Sequence, residues 1–290
     1  MKAFFKSLLW PFVAMVIYLC VQSFCSLPLV FYAAIERKAN PEAIANPETL
    51  LSGTGFGIVL LVSSIITGAL ILWMKPFGLR SSFAALGCKR WPAVLAVIAT
   101  LFGLFASNIL NEFLDLPNML EELFNEMAES VWGLLAIGVF GPIAEEIVFR
   151  GGIMKPMLDR GQKPWTAILV SAIVFGLAHG NPVQIPFAAL VGVMFGVVYY
   201  KTKSLIITSL CHILNNSLSA ILMNIYGSEL NDVTMRNMMG DTMTWTALII
   251  ASAACAGLLW YFWKKVPSKT WQTEEGELPP PPPAVADIEA

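Results

Sequence analysis

The stretch GPIAEEIVFR, residues 141–150, ends an apolar run with two adjacent carboxylates. The fourteen residues before them, Val131 to Ala144, carry no charge. An ionisable group at membrane depth is costly, which makes it a functional candidate. Glu146 and Arg150 stand four residues apart with the acid first, the favoured order for a helical ion pair. A structural or orienting role fits that pair. Glu145 is then unpaired, about 100° round the helix, and can serve as a general base. The chain has two histidines, His179 in FGLAHG and His212 in CHILNN, both in apolar segments. His212 and Asn216 are four residues apart and share a helix face. A carboxylate and two imidazoles (Glu145, His179 and His212) can bind zinc or another divalent ion with an open position. The same groups can hold and activate a water without metal. The chemistry suggested is hydrolysis. Glu145 takes a proton from water, and a histidine or Asn216 stabilises an oxyanion.

The elements that must position these groups are membrane helices. The chain has 290 residues, 57% hydrophobic and 13% charged, against about 25% charged in soluble domains. Its mean hydropathy is +0.68. Apolar segments recur near 8–35, 56–74, 92–110, 131–155, 165–179, 185–200, 204–225 and 244–263. A helix needs about 20 residues to cross the hydrocarbon core. The expected fold is an all-α polytopic membrane bundle of about eight transmembrane helices. The first segment exceeds the apolar stretch of a cleaved signal and lacks its small-residue site, so it is expected to remain as a helix, with a possible kink site at Pro28. With the N-terminus on the cytoplasmic side, fifteen of the eighteen Lys and Arg residues fall on that side, and only Arg37, Lys38 and Arg236 on the other. That asymmetry follows the positive-inside rule and predicts an even number of spans, with both termini cytoplasmic. The segment 111–130, with six acidic and no basic residues, suits the opposite face.

If the helix after Val131 ends near Lys155, before Pro156, Glu145 is about 15 Å from its inner end. His212 is then about 12–14 Å deep, and His179, counted from Trp165, about 21 Å deep. The histidine on the shorter segment thus sits high. Pro142 frees a backbone carbonyl and can open the helix locally.

One membrane domain is expected over 1–263, followed by a tail over 264–290. The tail holds five consecutive prolines, Pro279 to Pro283, and reads as extended, solvated chain. GTGFG at 53–57 opens a membrane segment rather than following a strand, so it is not a nucleotide loop. Gly192 and Gly196 form a GxxxG that serves either helix packing inside the bundle or dimerisation. The five cysteines show no CxxC spacing and argue against a disulfide framework.

At the polar residues the chain resembles a known family. EEIVFR at 145–150, FGLAH at 175–179 and HILNN at 212–216 are similar to the EExxxR, FxxxH and HxxxN motifs of the CAAX protease and bacteriocin-processing (CPBP) family of intramembrane proteases. Their order and spacing agree over roughly residues 130–217. The resemblance implies an α-helical intramembrane endopeptidase whose cavity opens toward the cytoplasm. It implies that Glu145 activates water, that His179 helps hold it, and that Glu146 supports the site with Arg150. His212 and Asn216 act as the oxyanion side. Phe175 packs behind the site. Members are usually described as metalloproteases, and a metal-free glutamate mechanism is also argued. No HExxH occurs here. The implied partners are membrane-embedded or lipidated peptides, CAAX-type termini among them, together with membrane lipids; nucleic acid is not among them. Two other classes stay open on the residues alone: a catalytically silent scaffold or immunity protein, and a proton-coupled transporter. The chain shows no inverted repeat of the transporter kind.

Overall fold

Apolar runs of this length fold as helices because a helix pairs every backbone group within itself, which an open segment in hydrocarbon cannot do. The computed structural model describes residues 8–39, 52–74, 90–114, 116–227 and 234–268, with isolated positions 79, 82, 229 and 271. Nine helices and no strands occur among the described residues. They are α1 (Leu9–Ala39), α2 (Gly53–Trp73), α3 (Arg90–Leu114), the short α4 (Glu121–Ala128), α5 (Val131–Asp159), α6 (Pro164–Ala178), α7 (Gln184–Thr202), α8 (Leu205–Tyr226) and α9 (Met235–Lys265). Seven of them are long and apolar enough to cross a membrane, and α6, at 15 residues, is a shorter apolar helix. This is the expected all-α integral membrane bundle.

Local chemistry sets the helix starts. Ser52, Ser130, Ser204 and Thr234 each accept a backbone N–H three residues on, satisfying donors that a helix start leaves orphaned. Lys203 turns the chain from α7 into α8 with φ 54°. α1 continues through Pro28. α9 starts well before residue 244 and bends at Gly240 (φ 75°).

α5 sits at the centre, packed against α1, α2, α6 and α8. Every residue from Ile147 to Leu158 is buried. The outer helices expose large apolar side chains, Phe24 of α1 and Trp73 of α2 among them, as a lipid-facing surface should. Small residues allow the closest approaches. A Cβ on Gly192 would lie 3.0 Å from Ala172 Cα, and one on Gly196 would lie 3.0 Å from Ile168 Cγ2. The GxxxG of α7 therefore packs on α6 inside the bundle. Gly57 of the GTGFG stretch faces Gly133 of α5 in the same way.

Packed chain extends past residue 263. α9 reaches Lys265, and Val266 and Trp271 are buried. Lys201 Nζ donates to the Val266 carbonyl at 3.0 Å and to Ser268 Oγ at 2.9 Å. The proline run lies outside the described residues, as does Cys88; the other four cysteines are free thiols.

Replacing Gly192 by Leu is expected to force α6 away from α7. The overpacking should destabilise the bundle by about 1–3 kcal/mol, read as a lower melting temperature of the purified protein in detergent.

Candidate active site

The site is built on irregularities in α5. Ala136–Phe140 and Ile147–Met154 are π-helical, on either side of the α-helical Gly141–Glu146. Pro142 has no N–H. The carbonyls four and five residues before it, Gly138 and Ile137, thus lose the donor that an α or a π turn would supply. Buried carbonyls need partners, and α8 provides both. Asn216 Nδ2 donates to the Ile137 carbonyl at 3.3 Å, and Ser217 Oγ donates to the Gly138 carbonyl at 3.0 Å. Gly138 makes room for this, since a Cβ there would lie 2.9 Å from Ser217 Oγ. In the second π segment, Ser171 of α6 donates to the Phe149 carbonyl at 2.8 Å.

The second π segment also explains a misplaced boundary. The helix does not stop near Lys155. The hydrogen-bond register resets just before Pro156, which falls in the first turn of the α-helical segment Lys155–Asp159, where a proline does least harm. Glu145 is therefore about 21 Å from the end of α5 rather than about 15 Å. His179, the C-cap of α6, lies about 22 Å from the start of that helix. By this count Glu145 and His179 are level, while His212, about 10 Å from the start of α8, meets the glutamates only because the helix ends do not share one plane.

Glu145, Glu146 and His212 come together. His212 Nδ1 stands 3.1 Å from Glu146 Oε1, and Nε2 stands 3.5 Å from Glu145 Oε2. Both ring nitrogens are donors only in the imidazolium form, so a charged His212 would bridge the two carboxylates. The glutamates differ in access: Glu146 is fully buried, whereas 20% of the Glu145 side chain is exposed. Arg150 Nε lies 3.2 Å from Glu146 Oε2, at ion-pair distance without hydrogen-bond alignment. Its Nη2 donates to the Gly192 carbonyl at 3.4 Å. The guanidinium also lies over the Phe175 ring at 4.8 Å and the Phe195 ring at 5.6 Å, a favourable position for a desolvated cation.

His179 is placed differently. Its Nδ1 donates to the Phe175 carbonyl at 2.8 Å, because a carbonyl can only accept. In the neutral ring this leaves Nε2 as an acceptor. Among the described residues it makes no ion pair with either glutamate. Phe175 joins the two histidines, with its ring edge-on to His179 at 4.8 Å and to His212 at 5.7 Å. Asn216 lies one turn beyond His212, with its amide on the α5 carbonyl and its Oδ1 accepting from Asn215.

The set Glu145, His179 and His212 does not fit a metal as placed. His212 turns both nitrogens to carboxylates, and no group of three or more His, Cys, Asp or Glu stands at metal-holding spacing among the described residues.

Sequence reasoning missed Ser217, Ser171 and Phe195. Pro142 signalled a freed carbonyl but not which residue would cap it. Thr208, four residues before His212, extends the polar stripe of α8 beside Glu146. The spacing Thr208, His212, Asn216 was a usable signal for it.

Residues 127–218 match the profile of a family described as type II CAAX prenyl endopeptidase Rce1-like. That segment holds every site residue named above. A stretch of 90 residues is 32% identical to the membrane-embedded CAAX protease MroQ of Staphylococcus aureus (strain USA300), covering 29% of this chain and 36% of that protein. Another of 89 residues is 26% identical to YdiL of Bacillus subtilis (strain 168), named as a membrane peptidase, covering 31% of this chain and 36% of that protein. The match thus spans about a third of each relative's length. No solved structure matches the chain significantly. The resemblance carried by the three motifs is shown over residues 127–218.

Arg150→Met should leave the buried Glu146 with His212 alone as partner and destabilise the protein by about 3 kcal/mol. Glu145→Gln, at a partly exposed position, should change stability by less than about 1 kcal/mol. Thermal unfolding of the two purified variants checks the contrast.

Proposed function

We propose that the protein is an intramembrane endopeptidase acting on membrane-associated or lipidated peptides, CAAX-type C-terminal processing included. The observation that carries the reading is the contact of one histidine, His212, with two carboxylates of unequal access, within the segment similar to CAAX proteases. Glu145 is the general base. It takes a proton from water, whose oxygen adds to the carbonyl carbon of the scissile peptide bond. His212, 3.5 Å from Glu145 Oε2, turns its Nε2 N–H from that carboxylate to the oxyanion as charge develops there. The Asn216 N–H not on the Ile137 carbonyl donates beside it, and His179 Nε2 accepts from the water. The C–N bond then breaks as Glu145 returns the proton to the leaving amine. Glu146, itself paired with Arg150, holds His212, and neither exchanges protons with substrate.

The route we propose needs no metal; what supports it is that Glu145, His179 and His212 do not stand at metal-holding spacing. Both termini face the cytoplasm in this reading, supported by the distribution of Lys and Arg.

Quantitative terminomics of native membranes tests it, comparing cells with wild-type protein and cells with Glu145→Gln at equal abundance. New peptide termini should fall at least about a hundredfold in the variant. Equal termini in the two strains would refute the proteolytic reading. With a purified substrate, 1,10-phenanthroline should leave the rate within about twofold of the untreated enzyme; removal of metal that abolishes cleavage, with zinc restoring it, would overturn the metal-free route.

A further inference from the structure

α1 is apolar and largely lipid-exposed, yet it carries one polar stripe, Tyr18, Gln22 and Ser26, at i, i+4 and i+8. That spacing places all three on one face. The stripe is half-buried, with Tyr18 turned to α5 and Gln22 to α2. Tyr18 packs edge-on against Phe149 of α5, with ring centroids 5.8 Å apart. Its hydroxyl lies beside Gln22 and within electrostatic reach of Glu145. Ser63 of α2 donates to Gln22 Oε1 at 3.1 Å. Gln22 and Ser26 then line a cavity of about 380 Å³ between α1, α2 and α4. Its other walls include Phe56, Leu60 and Phe124. Glu145, Glu146 and the two histidines do not line it.

The hydrogen-bonding capacity of this edge is not used up. The Gln22 amide has two N–H donors. Ser63 occupies its oxygen, and Tyr18 can take at most one donor, so at least one N–H is left. Ser26 Oγ donates to the Ser23 carbonyl and keeps its lone pairs. The antiparallel register set by Gln22 and Ser63 puts Thr67 level with Tyr18. Thr67 Oγ1 is fully buried without a hydrogen-bond partner, as is Glu145 Oε2. Buried polar groups in folded proteins are nearly always paired. Here Thr67 Oγ1 is unpaired on the α2 face that meets the α1 stripe.

An acyl chain would fill the apolar walls but offer nothing to Gln22, Ser26 or Thr67. An extended peptide offers both an apolar side chain and backbone N–H and C=O groups, which must be paired at membrane depth. We propose that the α1–α2 face is a peptide-backbone subsite. In it Gln22, supported by Ser63 and Tyr18, hydrogen-bonds an unwound stretch of substrate next to the scissile bond, and the α1–α2–α4 cavity receives that stretch. The subsite rests on the proteolytic reading. It adds residues from outside the matched segment 127–218.

The test uses the full chain in proteoliposomes and a synthetic peptide spanning the most abundant Glu145-dependent cleavage. Gln22→Met should raise KM about tenfold and leave kcat within about twofold, the signature of lost uniform binding. Val59→Trp, which narrows the cavity, should do the same. Tyr18→Phe should raise KM less, and should add nothing to Gln22→Met, since the two act as one network. An unchanged KM in both Gln22→Met and Val59→Trp would overturn the subsite and leave the protease standing. So would a fall in kcat that tracks a lowered melting temperature in both. Absence of Glu145-dependent termini would overturn the proteolytic reading and the subsite with it.

Discussion

A fully buried ion pair, Glu146 with Arg150, is the constraint around which the bundle is arranged. Two charges removed from water are tolerated only when both are closely surrounded by compensating groups. Arg150 takes its compensation from three helices: the carboxylate on α5, the Gly192 carbonyl on α7, and the faces of Phe175 on α6 and Phe195 on α7. Glu146 takes a second partner from α8 through His212. The pair therefore fixes how α6, α7 and α8 stand around α5. The small residues between α6 and α7 follow from the same need, because Gly192 must come close enough for its carbonyl to meet a guanidinium.

The second constraint is backbone pairing. Pro142 interrupts the ladder of α5 in the middle of a membrane helix, where the freed carbonyls have no water to turn to. Asn216 and Ser217 supply the missing donors. This sets the register of α8 on α5 and so delivers His212, one turn away, to the two glutamates. The irregular helix and the polar site are one arrangement: the π segments displace the side chains, and the partners of their carbonyls come from the helix that carries the histidine.

Glu145 differs from Glu146 by little in sequence and by much in surroundings. Its neighbour is fully buried between Arg150 and His212, whereas Glu145 keeps a partly exposed face. Groups poised for chemistry are commonly left incompletely satisfied by the protein around them. The polar stripe of α1 fits the same logic at a larger scale, as a face of a peripheral helix that meets α2 and α5 through polar and aromatic contacts.

The sequence by itself determined the solvent of this protein, the helical class, and the short set of groups able to do chemistry. Composition and apolar run length depend on local residue content, and EEIVFR, FGLAH and HILNN are local patterns. The i,i+4 spacing of Glu146 and Arg150 was also local, so their pairing was legible. Tertiary structure decided the rest. Nothing in the chain's local order said that the π segments would carry α5 past Pro156 to Asp159, that His212 rather than His179 would reach the glutamates, or that Ser217 would cap Gly138. Those outcomes depend on which helix stands beside which. That choice is made by the total satisfaction of buried charges and carbonyls contributed from segments far apart in the chain.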